Sequence, residues 1–594
     1  MATANLYKLH FLSTPAISCS AHLPNTRFSA PCNGARGRSP SALQIRCSFP
    51  MNFDPSIPRQ SEHYQYQPTI WDYVFIESLE SSFVGGIYAN QTEKLKEEVR
   101  LMLKNTSELV VKLELIDTLE RLGVGYLFEG EINKSLQEID HNDAKLWIKE
   151  SLHSTALTFR ILRQHGCKVS AGVFEKFKDE NGHFKKSLIS DFKGLLSLCE
   201  AAHVVCEGEI ILDDAIEFTR IHLNNLEGNV KANLAKQASR SLEIPLHWRM
   251  VRAEARWYMD IYEEEEGVNP TLLELAKLDF NMVQAVLLRD LRSMSRWWRN
   301  LGVAAKLSFA RDRLVESFLW SVGIGYEPEY ELCREWLTKV MNFVLIIDDI
   351  YDVYGSLEEL EIFTYTVERW DHKLLNNFPY YMKVCFLALY NMINEMAYEI
   401  LKEQGVDILP YLTKSWADFI KAMLQEAKWC KQGCTPSLKE YLDNGWLSSS
   451  GSVFLIHAFF ATKQKIKPEV LEGLEKNHQL LKYSSMVFRL SNDLATSSAE
   501  LERGDVASSI FCYMRETNAS EAEARSYIRG LILDSWKKLN SSISESPFER
   551  PFINMGLNLA RTSLFIYQNG DGLGVEDSKS KDHILSLIVN PVEN

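Results

Sequence analysis

Val340-Met341-Asn342-Phe343-Val344-Leu345-Ile346-Ile347-Asp348-Asp349-Ile350-Tyr351-Asp352-Val353-Tyr354-Gly355 is the stretch on which the reading of this chain turns. A strongly apolar run ends abruptly in carboxylates, and Gly355 follows as a helix stop. Asp348 and Asp352 stand four residues apart, so on a helix their carboxylates share one face, about 6 Å apart along the axis. Hard oxygen ligands of this kind suit Mg²⁺, which takes one or two carboxylates and completes its shell with phosphate oxygens or water. The negative end of the helix dipole also favours a cation there. Carboxylates crowded beside a buried wall repel one another unless a metal neutralises them. With 79 acidic residues in 594, an acid-acid-x-x-acid pattern is expected about once by chance. Taken alone, a solvated helix end explains the motif as well as a metal site does.

A second constellation changes that balance. Asn492, Thr496 and Glu500 recur every four residues, placing three oxygen donors on one helical face over about 12 Å. Asp493 adjoins the first, and Arg489 lies one turn upstream, where its fork suits a diphosphate. Arg311-Asp312-Arg313 offers more positive charge. On a regular helix these two arginines diverge by about 200°, so both serve one site only at a helix end or bend. The plain readings are an amphipathic helix's polar face for the first group and a surface ion-pair network for the second. Together, two metal-binding faces and arginines suit ionisation of a carbon–diphosphate bond, in which metal and guanidinium take up the departing charge. The cation left behind needs a dry pocket with electron-rich rings. Candidate rings are Trp297, Trp298, Trp320, Tyr351, Phe488 and Tyr567, although most aromatics in any chain are core.

The surroundings are helical. Gly (29) and Pro (18) are sparse for 594 residues, and Ala156/Phe159/Leu162 and Phe192/Leu195/Leu196/Cys199 recur at helical spacing. Alternating β patterns are largely missing, and no fixed-period repeat is present. Glu263–Glu266 followed by Gly267, then Asn269-Pro270, reads as a helix end and a capped new start. The expectation is an all-α protein of two helical domains, 60–265 and 270–594. Residues 1–53 contain no Asp or Glu but five basic residues and seven serines, the composition of an organelle transit peptide. Without those charges the formal net charge moves from −14 to −19. No apolar run reaches the 18 residues a membrane span needs, and the acidic balance argues against a nucleic-acid footprint. Cys430 and Cys434 read as two thiols in a loop, not half a zinc site.

In order and spacing, Arg311-Asp312-Arg313 with Glu316 and Trp320, then Asp348-Asp349-Ile350-Tyr351-Asp352, then Asn492-Asp493-x-x-Thr496-x-x-x-Glu500 resemble plant class I terpene synthases. The match runs from about Trp71 to the C-terminus, and the leader resembles that of the plastid monoterpene branch. The resemblance implies a relic N-terminal α-barrel and a C-terminal catalytic metal-binding bundle. It implies that Asp348 and Asp352 hold two Mg²⁺ ions (Mn²⁺ can stand in) and that Asn492, Thr496 and Glu500 hold a third. Arg311, Arg313 and Arg489 would then contact the prenyl diphosphate, with Asp349 orienting its neighbours and Trp320 and Tyr567 against the substrate chain. The class II acid motif is absent, since Ile211 precedes Asp213-Asp214, so the N-terminal domain is expected to be catalytically silent.

Departures bear on product. Cyclising relatives carry tandem arginines eight residues before a tryptophan; here Arg59-Gln60 stands ten residues before Trp71. Ser508 replaces a common lysine in Arg503-Gly504-Asp505-Val506-Ala507-Ser508, and Asn569-Gly570-Asp571-Gly572-Leu573 lacks a common histidine. These resemble the branch that makes acyclic alcohols. Phe488 is shared with isoprene synthases, but Met341 stands where they carry an aromatic. The expected activity is conversion of geranyl diphosphate to linalool, or of farnesyl diphosphate to nerolidol, by a plastid monomer. The alternatives are geraniol, myrcene or ocimene, isoprene, a chain-elongating prenyltransferase and a non-catalytic helical scaffold.

Overall fold

In a computed structural model, the described residues are 66–139, 151–225, 231–476, 478–503, 507–544, 546–568, 570, 572–573 and 578–593, without the side chains of 377 and 498–503. The leader, Arg59-Gln60, residues 504–506, Asn569, Asp571 and the Glu500 side chain therefore lie outside the description. Among the described residues there is no β-strand, only one isolated bridge between Lys178 and Phe184. The elements that bear on the site are α1 (Gly86–Asn105), α2 (Leu109–Arg121), α3 (Leu152–Gln164), α4 (Phe192–Ala202), α5 (Ile210–Asn224), α6 (Val251–Glu263), α7 (Pro270–Leu301) and α8 (Leu314–Ile324). They continue with α9 (Glu331–Asp349), α10 (Leu409–Gln432), α11 (Leu438–Ser448), α12 (Gly451–Ala461), α13 (Gln479–Arg503), α14 (Ser509–Thr517), α15 (Glu521–Ile543) and α16 (Arg550–Tyr567).

The residues read as a helix end and a capped restart at 263–270 adopt that local structure. Helix α6 ends at Glu263, Gly267 adopts φ +96°, and the Asn269 side chain accepts the N–H groups of Thr271 and Leu272 at the start of α7. A left-handed glycine followed by an Asx cap and a first-turn proline is a low-energy way to stop one helix and start the next. In the N-terminal domain, α3 buries Ala156, Phe159 and Leu162 completely and packs on α4.

Two short helices form the centre of the C-terminal domain. Every residue of α8 and every residue of α12 is buried. A helix apolar all round can only be enclosed by others; here α9, α13 and α16 pack against them. Close crossings need small residues. A Cβ on Gly323 of α8 would lie 2.3 Å from the Thr562 hydroxyl on α16, and one on Gly451 would lie 2.9 Å from the Ser485 Cα on α13. Helix α9 is held at its start by a buried ion pair, with Arg334 Nη2 2.8 Å from the Asp290 carboxylate of α7.

The first and last described segments pack on the body. Residues 66–73 run along the segment before α8. At the other end, Asn281 of α7 exchanges two hydrogen bonds with the Val592 backbone, at 2.9 and 2.7 Å. Arg252 of α6, buried, donates to the Leu587 and Phe280 carbonyls at 3.0 and 3.1 Å, so the C-terminal tail closes the seam between the domains. Asp213 pairs with Lys537 of α15 at 2.8 Å and Asp214 with Lys178 at 2.9 Å, which makes both ordinary ion-pair partners. Among the described residues, no helix is long and apolar enough to cross a membrane.

Candidate active site

Helix α9 delivers its carboxylates as its spacing predicted, with one difference. The α-helix stops at Asp349, and Ile350–Tyr354 form a π-turn, closed by the Gly355 N–H donating to the Ile350 carbonyl at 2.8 Å. Asp348 and Asp352 therefore straddle an α/π junction instead of one regular helical face, a local widening common at functional sites. Asp348 is half-buried, Asp352 exposed and Asp349 fully buried. Gly355 leaves the helix in an extended conformation, at φ −79°, and a Cβ there would lie 2.9 Å from the Ile350 carbonyl oxygen, so the position has room for no side chain.

The segment 307–313 is irregular, so the two arginines meet a bend and part company. The Arg311 guanidinium pairs with Asp348, its Nε sits 2.9 Å from Asp349 Oδ1, and its backbone N–H donates to Asp349 Oδ2 at 2.8 Å. Arg313 faces elsewhere. It is fully buried and donates to the carbonyls of Leu573 (3.0 Å), Asp312 (3.0 Å) and Gln67 (2.9 Å). Arg313, expected as a diphosphate ligand, ties residue 67 to residue 573 through these bonds. Burial pushes the Asp349 carboxyl up to about 6, against the opposing charge of Arg311.

Residues 66–73 meet this segment at successive points. The Tyr66 ring lies 4.9 Å from the Arg311 guanidinium carbon, and its hydroxyl hydrogen-bonds the Asp349 carboxylate. The Gln67 carbonyl receives Arg313, the Trp71 indole donates to Glu316 at 2.8 Å, and the Tyr73 hydroxyl donates to Asp312 at 2.5 Å. Asp312 also accepts the Trp298 indole at 2.9 Å.

Helix α13 forms the second face. Arg489 Nε receives support from the Tyr441 hydroxyl at 2.6 Å and from Asp493 at 3.1 Å, while Nη2 lies 3.2 Å from Glu426. Asp493, buried, also accepts the Tyr441 hydroxyl at 2.8 Å and the Ser509 N–H at 2.9 Å, tying α13 to α11 and to the start of α14. Asn492 is half-buried and Thr496 buried, the Thr496 hydroxyl donating to the Asn492 carbonyl at 3.0 Å. Glu426 of α10 lies between the two faces. Burial raises its carboxyl, Arg489 opposes that, and both Asp493 and Asp348 add to it. The helical spacing of α13 could not have found Glu426 or Tyr441, which reach Arg489 from 63 and 48 residues away.

Phe488, next to Arg489 in the chain, belongs to an aromatic cluster. The Trp320 ring centroid is 4.8 Å from Phe488, 5.8 Å from Tyr567 and 6.5 Å from Phe454. Three of the four rings were expected; Phe454 was missed, although the charge-free run of α12 marked a fully buried helix. Other candidate rings fall away from the cluster. Tyr351 is core, donating or accepting with the Thr364 hydroxyl at 2.7 Å, and Trp297 packs under Lys339, 5.4 Å from its nitrogen.

The donor chemistry fits hard divalent cations: exposed or half-buried carboxylates on one face, with an amide and a hydroxyl on the other. Among the described residues no three His, Cys, Asp or Glu side chains converge into a closed cage. An open, oxygen-only arrangement is what Mg²⁺ shared with a phosphate ligand requires.

Helices of this order carrying such a site make a class I terpenoid-synthase bundle together with a helical N-terminal domain. Residues 70–242 match the terpene synthase N-terminal domain model and residues 299–538 the terpene synthase family metal-binding domain model. The chain belongs to the terpene synthase family. It is 48% identical over 584 residues to a (-)-alpha-terpineol synthase of Vitis vinifera, covering 98% of each chain. Limonene synthase with 2-fluorolinalyl diphosphate superposes with a TM-score of 0.87 at 41% identity, covering 90% of this chain and 100% of that one. Isoprene synthase from grey poplar (Populus x canescens), in complex with three Mg²⁺ ions and dimethylallyl-S-thiolodiphosphate, gives 0.81 at 48%, covering 88% and 99%.

Proposed function

We propose that this chain is a plastid monoterpene synthase that ionises geranyl diphosphate and lets water capture the allylic cation at its tertiary carbon, releasing linalool. Support for the ionisation comes from one arrangement: Arg311 with Asp348 on one face, Arg489 with Asn492 and Thr496 on the other, and the aromatic cluster of Trp320, Phe454, Phe488 and Tyr567. Asp348 and Asp352 would hold two Mg²⁺ ions and Asn492, Thr496 and Glu500 a third. When bound, the ions supply Lewis-acid stabilisation of the leaving diphosphate. Arg311 and Arg489 add donors where negative charge develops. The ring faces attract the cation and keep bulk water out.

The relatives are named for different products, terpineol, thujene, myrcene, geraniol and isoprene among them, so the family does not carry the product. Support for an acyclic alcohol is Arg59-Gln60 in place of tandem arginines, with Ser508 and the histidine-free loop at 569–573. Farnesyl diphosphate would give nerolidol by the same quench. The leader's composition and the chloroplastic names of several relatives support delivery to plastids.

Chiral gas chromatography of products from both substrates tests the reading. Linalool or nerolidol as the main product supports it. Predominantly cyclic products would sink the water-capture step, and absence of diphosphate release with Mg²⁺ would sink the enzyme reading itself.

A further inference from the structure

Arg311 is held from three directions. Asp348 pairs with one edge of its guanidinium, Asp349 with Nε and the backbone N–H, and the Tyr66 ring lies against it at 4.9 Å. These three partners are not equivalent. Asp348 is also a carboxylate assigned to metal, and a carboxylate committed to a cation holds a neighbouring guanidinium less strongly. Asp349 is fully buried and is not among the residues assigned to metal. Tyr66 touches both remaining parts: its ring meets Arg311 and its hydroxyl meets Asp349. It arrives from outside the bundle, on the chain segment that Gln67, Trp71 and Tyr73 pin to Arg313, Glu316 and Asp312.

We propose that Tyr66 is a positioning residue for the ionisation step. It braces Arg311 through its ring and Asp349 through its hydroxyl, so that the guanidinium edge shared with Asp348 points at the leaving diphosphate when Asp348 serves the metal. The ring contact is a cation–π brace, stronger where water is excluded. The hydroxyl contact stops Asp349 from following Asp348. Ring and hydroxyl thus do different jobs and can be separated. The inference rests on the reading of Arg311 as a diphosphate ligand.

The experiment is calorimetric titration of the full chain with inorganic diphosphate in excess MgCl₂, which needs no turnover. It is run beside thermal unfolding and steady-state kinetics with geranyl diphosphate. Tyr66→Leu is expected to weaken diphosphate binding by about tenfold and lower kcat. Tyr66→Phe, which keeps the ring, should weaken it by about threefold. Tyr73→Phe loosens the same chain segment without touching Arg311 or Asp349. It should lower the unfolding temperature and leave diphosphate affinity within twofold.

Wild-type affinity in Tyr66→Leu would overturn the proposal. So would an equal loss in Tyr73→Phe, which would assign the effect to docking of the segment. If the wild-type chain itself binds no diphosphate with Mg²⁺, the function proposed above fails first and takes this inference with it.

Discussion

At the scale of single residues, neighbouring side chains of like type carry opposite duties. Arg311 and Arg313 are two apart, yet one addresses carboxylates and the other three backbone carbonyls. Arg311→Ala should therefore cost activity, at least tenfold in kcat/KM, and some stability as well, since it strips the buried Asp349 carboxylate of its guanidinium. Arg313→Ala should act on stability first: buried carbonyls left without donors destabilise by about 3 kcal/mol, read in denaturant unfolding. Asp348→Asn should reduce diphosphate release by at least 100-fold, roughly 3 kcal/mol in the barrier, while a half-exposed position keeps the fold intact. Asp348, Arg311, Arg489, Asn492 and Thr496 were legible as candidates because their chemistry lies within short runs. Periodicity says which residues share a face and not what that face meets, so it could not place Arg313 on backbone carbonyls or Tyr351 beside Thr364. Tyr66, Glu426 and Tyr441 were out of reach for the same reason: their partners are distant in the chain.

At the scale of elements, the break between α11 and α12 is the sensitive joint. The chain leaves α11 at Ser448, passes through Ser450 at φ +65° and restarts at Gly451 against the Ser485 backbone. Ser449 donates to the Ser485 carbonyl at 3.3 Å. The next turn of α12 carries Phe454 into the aromatic cluster. Gly451→Ala should push α12 away from α13, destabilising by roughly 1–3 kcal/mol as overpacking does. The shift should appear as an altered product ratio by gas chromatography. The helices themselves were readable from spacing, caps and the scarcity of glycine and proline. The π-turn after Asp349 was not, because Gly355 marks only that the helix ends and says nothing of the turn that precedes it.

At the scale of the molecule, two imidazoles are buried neutral. His247 at the domain seam is pushed down to about 3, by burial first and then by the Arg561 charge. His457 in α12 is pushed down to about 4 by burial, against its bond to the Val453 carbonyl. The unfolded chain takes up these protons near 6.5 and the folded one does not. Stability is therefore full above that pH and falls as pH drops toward 4, by up to about 2 kcal/mol per histidine at pH 5. Melts at pH 7.5 and 5 should show it, with a shallower slope in His457→Gln. The segment at 66–73 sets a second limit. Removing residues 1–53 should leave kcat unchanged, whereas removal through Ile70 strips Tyr66 and Gln67 and should cut it at least tenfold in the same assay.

The mutual bonds between Asn281 and Val592 carry a consequence for the order of folding. The two residues stand 311 positions apart in the chain, and closing so long a loop costs entropy before the contact repays it. Local helices can form first; this closure is a late event, and a chain cut just before Val592 would leave it open.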